Sequence, residues 1–155
     1  MSGPAAALLR WQFWHAHELL EAAVGRLTPD AVPHAAACYA RAVLCEDIGV
    51  NGVLAGRSPL ALSTWARRTG LTPLPALGAP IDWRAWARTV HLDLPSVRPY
   101  ACAVYDATDA YLAGLPDEAL ALGPAATPAC VLTGLLLTVS MRRGEIAILA
   151  PADEF

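Results

Sequence analysis

The sequence predicts an all-α fold, a four-helix bundle in one domain, on three observations. Apolar residues recur at helical spacing over long runs, no stretch alternates apolar and polar residues, and Pro and Gly gather between the runs. At 155 residues the chain fills one core, whereas two domains would each be too small to hold one.

The first helix is predicted over residues 4–27, with Trp11, Trp14, Leu19, Leu20, Ala23, Val24 and Leu27 as its inward face. Thr28 then reads as a cap and Pro29 as the first position of a second helix, which passes Pro33 and runs to residue 54, where Gly56 stops it. Residues 59–95 read as a long crossover that lets the third long helix take a non-adjacent corner. Within it, residues 60–68 suit a short helix, 70–80 a turn, and Asp82 caps a second short helix over 83–90 that carries Trp83 and Trp86. The third long helix is predicted over 96–115, capped by Ser96 with Pro99 in its first turn and Val97, Tyr100, Val104, Ala107 and Tyr111 as its stripe. Residues 117–122 add a turn, and Thr127-Pro128 opens the last helix, which continues to residue 149.

Composition narrows the function. Hydrophobic residues make up 55% of the chain and charged ones 16%, so apolar surface is left over for a ligand cavity or a homodimer interface. All 11 basic residues are arginine, a bias that fits high-GC bacterial coding. The net charge is −3 and no basic stripe is present, which argues against a nucleic-acid partner. The opening MSGPAAALLRWQFW lacks the charged start of a signal peptide, and the apolar stretch 129–141 is too short to span a bilayer. A cytoplasmic protein without a membrane partner is therefore expected. Cys38, Cys45, Cys102 and Cys130 form no CxxC pair and are expected as buried free thiols. Cys38 and Cys45 stand about 10 Å apart along one helix, beyond disulfide reach.

Three groups of residues carry chemical interest. Arg142 and Arg143 interrupt an otherwise apolar helix. His15-Ala16-His17-Glu18 resembles a ligand pair, but residues two apart on a helix point about 200° from each other and do not chelate one ion. His17 alone, three residues after Trp14, suits an oriented imidazole near a cavity. Asp106 and Asp109 share a helix face, where solvated charge is the ordinary explanation and acid–base work the functional one.

The segment Tyr39-Ala40-Arg41-Ala42-Val43-Leu44-Cys45-Glu46-Asp47, followed by Val50-Asn51-Gly52 and Leu54-Ala55-Gly56, resembles the second helix of the DinB/YfiT-like superfamily. Met141-Arg142-Arg143-Gly144-Glu145-Ile146 resembles the family's His-x-Gly-Glu-Ile pattern, and the order of elements is similar along nearly the whole chain. The resemblance implies a bundle in which three histidines hold a divalent metal for thiol-dependent transfer with mycothiol or bacillithiol. By position those ligands fall on Arg41, Thr138 and Arg142, and a guanidinium has no lone pair to offer a metal. The expectation is therefore a protein with neither metal nor cofactor, with Arg41 and Arg142 facing one another as fixed positive charge.

From this follows the expected function: metal-independent isomerisation, cyclisation or group transfer on a small anionic organic molecule, in bacterial secondary metabolism. Arg142 and Arg41 polarise the substrate, while Glu46 or His17 moves protons. Trp14, Tyr39, Tyr105, Thr138 and Asp109 complete the expected substrate contacts. Glu46, Asp47, Glu145, Asp106 and Asp109 are candidate counter-charges for the arginines. Two alternatives stay open: a non-catalytic binding or interaction protein, and a metal-dependent thiol transferase that uses a nonstandard set such as His17, Glu46 and Asp109.

Overall fold

The computed structural model describes residues 3–28, 31–77, 79–121 and 127–149. It is all-α in these residues apart from one two-stranded ribbon. The elements are α1 (Pro4–Gly25), α2 (Val32–Asp47), a π-helical continuation of α2 (Ile48–Leu54), a 3-10 turn (Leu60–Leu62), β1 (Leu71–Thr72), α3 (Trp83–Thr89), β2 (His91–Leu92), α4 (Leu94–Ala113), a second 3-10 turn (Asp117–Leu120) and α5 (Pro128–Leu149).

Proline opens the long helices as read. Pro4, Pro33 and Pro128 stand in first or second helical positions, where the missing N–H costs no hydrogen bond; in α4 that place is taken by Pro95, and Pro99, expected in the first turn, lies inside the helix. Pro29 and the start of the second helix read from it lie outside the described residues; the helix that is described begins at Val32. Thr28 contributes its carbonyl, which accepts from Ala31 N, rather than a side-chain cap. Gly56 ends the π-helical segment with φ +61°, a conformation that favours a residue without a Cβ. The first free amides of α1 are capped from a distance: Asp117 accepts from Ala5 N and Ala6 N at 3.3 and 3.2 Å.

Several boundaries differ from expectation. The short helix over 60–68 reduces to Leu60–Leu62 followed by turns. Leu71 and Thr72, expected in a turn, pair antiparallel with Leu92 and His91. The cap of α4 is the position of Asp93, and Ser96 instead donates its hydroxyl to the Asp93 carboxylate. Asp82 caps α3 as expected, accepting from Ala85 N at 2.9 Å.

α5 packs along both α1 and α2, and α4 packs along the same two helices from the other side. Thus α4 lies beside α2 despite the long crossover, and α4 and α5 are not a packed pair. One core cluster gathers Leu20, Tyr39, Leu44, Val97, Tyr100 and Val139; a second gathers Phe13, Val50, Leu112, Leu132 and Leu135. The inward face of α1 is Ala6, Phe13, His17, Leu20, Ala23 and Val24. Trp11 and Trp14, expected on that face, are exposed at 56% and 59%. The α4 stripe is shifted from the expected one in the same way, to Val97, Tyr100, Ala101, Val104, Thr108 and Leu112.

Asp47 ties the crossover to this frame. It is fully buried and accepts four hydrogen bonds, from Asn51 Nδ2, Leu60 N, Ala61 N and the Tyr100 hydroxyl, all between 2.7 and 2.9 Å. A buried carboxylate with that many donors has its acceptor positions filled, so it serves as a structural bolt and not as a counter-charge for the arginines.

Candidate functional site

The structure divides the expected site residues between two places. The division follows from helix geometry. Arg41 and Glu46 are five residues apart on α2, which turns their side chains about 140° from each other. Glu46 therefore points to α1 and α4, while Arg41 points to α3 and α5.

The first place is an arginine-lined pocket of about 380 Å³ between α2, α3 and α5. Arg41 and Arg142 both line it, together with His34, Cys38, Arg84, Arg88 and Glu145 and the rings of Trp83 and Trp86. Arg142 reaches it because it continues the buried stripe Leu132, Leu135, Val139, Ile146 at the inward position between the last two. Its NH1 donates to Glu145 Oε2 at 2.7 Å, one turn along the same helix. That oxygen also accepts from the Cys38 thiol at 3.2 Å. Burial, then the hydrogen bond and charge of Glu145, push the Cys38 thiol up to about 11, so it stays protonated in neutral solution. The Arg41 guanidinium lies over the Trp83 ring, 5.3 Å from its centre. Arg41 Nε and Arg142 Nε are both buried without a hydrogen-bond acceptor.

The second place is a cleft of about 190 Å³ between α1 and α4, lined by Arg10, Phe13, Trp14, His17, Tyr105, Asp106, Thr108, Asp109 and Leu112. At its floor His17 Nε2 and Glu46 Oε2 are 2.8 Å apart, and the Thr108 hydroxyl donates to Glu46 Oε1 at 2.6 Å. His17 is stacked on Tyr105, with ring centres 3.8 Å apart. The Tyr105 and Tyr39 hydroxyls both donate to Glu21 Oε1. Burial foremost, together with Glu21, raises the pKa of both phenols above the ordinary tyrosine range. At the mouth Arg10 grips Asp109 with two hydrogen bonds of 2.7 and 2.8 Å, which hold the Asp109 carboxyl below its ordinary range.

Arg41 and Arg142 meet in one pocket, and Glu145 is the counter-charge of Arg142. Glu46 is not a partner of the arginines, and His17 is buried in the α1–α4 contact. Trp14 and Tyr105 line the cleft beside His17, away from the arginines. Tyr39 has no exposed surface and belongs to the core. Thr138 bonds back to the Gly134 carbonyl within α5 at 2.9 Å and lines neither place. Asp109 is held by Arg10, so Asp106 and Asp109 do not act as a carboxylate pair. Arg143 stands six residues before the end of α5 at Leu149, short of its last turn. Of the four cysteines, all free, only Cys38 is buried; Cys45 is half-buried and Cys102 and Cys130 are exposed.

The positions at which the family resemblance puts metal ligands do not suit a metal. Two are guanidiniums and the third is a hydroxyl spent on its own helix. The nonstandard set also fails to converge: His17 and Glu46 touch, but the Asp109 carboxylate is occupied by Arg10. Sequence reading passed over Arg84, Arg88 and Cys38 as pocket residues. The spacing of Arg84 and Arg88, one turn apart on a helix that also carries Trp83, was the available signal. No protein-family model, curated protein or solved structure matches the chain.

Proposed function

We propose that the chain is a metal-independent, DinB-like four-helix bundle that takes a small anionic organic molecule into the pocket between α2, α3 and α5. The observation that carries this reading is the convergence of Arg41, Arg84, Arg88 and Arg142, four of the chain's 11 arginines, on one cavity of an otherwise acidic protein. Guanidinium forks suit carboxylate and phosphate oxygens, and Trp83 and Trp86 supply flat walls for an organic body. The bundle reading rests on the four long helices, the crossover between α2 and α4, and the sequence resemblance on α2 and α5.

Fixed positive charge in a partly buried pocket stabilises negative charge that develops on a substrate, so isomerisation, cyclisation or group transfer remains the catalytic form of this reading. The proton carriers within reach of such a substrate are Cys38, Glu145 and His34, in place of His17 and Glu46. A non-catalytic binding protein is the second reading. It is favoured by the Cys38–Glu145 contact, which keeps the thiol protonated and the carboxylate engaged.

Calorimetric titration with benzoate and with inorganic phosphate at low ionic strength tests the pocket. Both reach the wild-type protein, and Arg142→Leu removes the binding while circular dichroism still reports a folded helical protein. Equal binding by wild type and variant overturns the reading.

A homodimer formed through α1 and α5 belongs to the same proposal. Leu9, Trp11, Leu19, Leu136 and Leu137 border a shallow apolar groove there, with Trp11 and Leu137 about 56% and 60% exposed. Sedimentation of the wild type and of Trp11→Asp, in which the dimer is lost, decides it.

A further inference from the structure

The lining charge of the arginine pocket says more than that its ligand is an anion. Four guanidiniums face one carboxylate, that of Glu145, and this is already spent on Arg142. Among the described residues Arg41, Arg84 and Arg88 have no carboxylate partner. A monoanion held at the inner pair leaves the guanidiniums of Arg84 and Arg88 without a counter-charge.

The arginines also differ in depth. Arg41 and Arg142 carry buried, unpaired Nε atoms at the inner end, where Arg41 lies over Trp83. Arg84 and Arg88 are exposed and stand one turn apart on α3, at the outer rim. Two donor pairs at two depths, with tryptophan rings beside them, match a ligand with charge at both ends.

Resting on the pocket reading above, we propose that the ligand is a small organic dianion. One anionic group is held by Arg41 and Arg142, and the second by Arg84 and Arg88. Carboxylate and phosphate ester groups both meet this description.

Calorimetry on the full chain at low ionic strength tests it with paired probes: succinate against butyrate, adipate against hexanoate, terephthalate against benzoate. At least one diacid binds ten times tighter or more than its mono-acid. Arg84→Ala/Arg88→Ala weakens both members of the pair through lost charge, but brings the affinity ratio of diacid to mono-acid down to about one, and unfolds at the wild-type temperature. If mono-acids bind and no diacid gains, or if the gain survives the double variant, the dianion assignment is overturned while the anion pocket stands. If neither the six acids nor inorganic phosphate binds, the pocket reading fails and the dianion assignment with it.

Discussion

His17 Nε2 and Glu46 Oε2 lie 2.8 Å apart in the contact of α1, α2 and α4, with the second oxygen of Glu46 held by Thr108. Glu46 is 1% exposed, and only the His17 side chain, at 9%, meets the cleft. Removing one member leaves the other buried without its partner. His17→Leu is expected to lower the unfolding free energy by about 3 kcal/mol. His17→Leu/Glu46→Leu should recover much of that loss, because neither polar group remains. Urea unfolding of the single and double variants measures both effects, and a loss in the double variant equal to the sum of the two single losses shows that the pair does not act as one unit.

Asp47 is expected to be the most costly single carboxylate to lose. Asp47→Ala strips acceptors from two backbone amides, Leu60 N and Ala61 N, and from Tyr100, for about 3 kcal/mol or more. Hydrogen exchange should quicken at Leu60 and Ala61 before it does in α1. Unchanged exchange at those two amides means that the crossover does not hang from Asp47.

Tyr39, Tyr100 and Tyr105 all have phenol pKa values raised by burial and by a neighbouring carboxylate. A phenol whose folded pKa exceeds its unfolded value favours the fold fully below the unfolded value, near 10, and loses that contribution as pH rises above it. Each of the three lowers stability by up to about 1.4 kcal/mol per pH unit in that window. The expected outcome is alkaline unfolding in which tyrosinate absorbance and loss of helical circular dichroism coincide. Tyrosinate that forms well before helix loss shows instead that these phenols reach solvent in the native state.

Cys38 should alkylate slowly at pH 8 and faster only as pH rises toward 11. The exposed Cys130 serves as the internal reference. Glu145→Gln removes a hydrogen bond and a negative charge that hold the proton on the thiol, and frees Arg142, which favours the thiolate. Alkylation of Cys38 in that variant should therefore quicken at least several-fold at pH 8. Peptide mass spectrometry after iodoacetamide treatment follows both sites. A rate unchanged by the substitution means that burial alone protects the thiol.

Helix ends were readable in the sequence because their signals are local. Pro4, Pro128 and Gly56 each act through their own backbone geometry, and Asp82 through a carboxylate that reaches only three residues on. Helix phase was harder to read. In α1 an apolar count puts Trp11 and Trp14 inward, whereas the inward position between Phe13 and Leu20 belongs to His17, a polar residue that burial tolerates only because Glu46 answers it. That answer comes from another helix and has no signature in α1. The inward place of Arg142 was reached through a resemblance, although the stripe Leu135, Val139, Ile146 also marks it. Glu46 was grouped with Arg41 by nearness in sequence, which the 3.6-residue turn of a helix does not respect. The ribbon was hidden because two residues per strand are too few to alternate visibly.

The pairing of Leu71–Thr72 with His91–Leu92 has a consequence for how this protein can change. Gly70 lies at its base with φ +75°, and its carbonyl accepts from Asp93 N, so the two ends of the intervening segment are fastened to each other before the chain rejoins α4. α3, with Arg84 and Arg88, is carried inside that clasp as a cassette. Its exposed positions, Arg84 and Arg88 among them, can be rewritten with little displacement of the long helices behind it, while the buried Trp86 keeps the cassette seated on the core. The rim of the pocket can thus evolve separately from its floor.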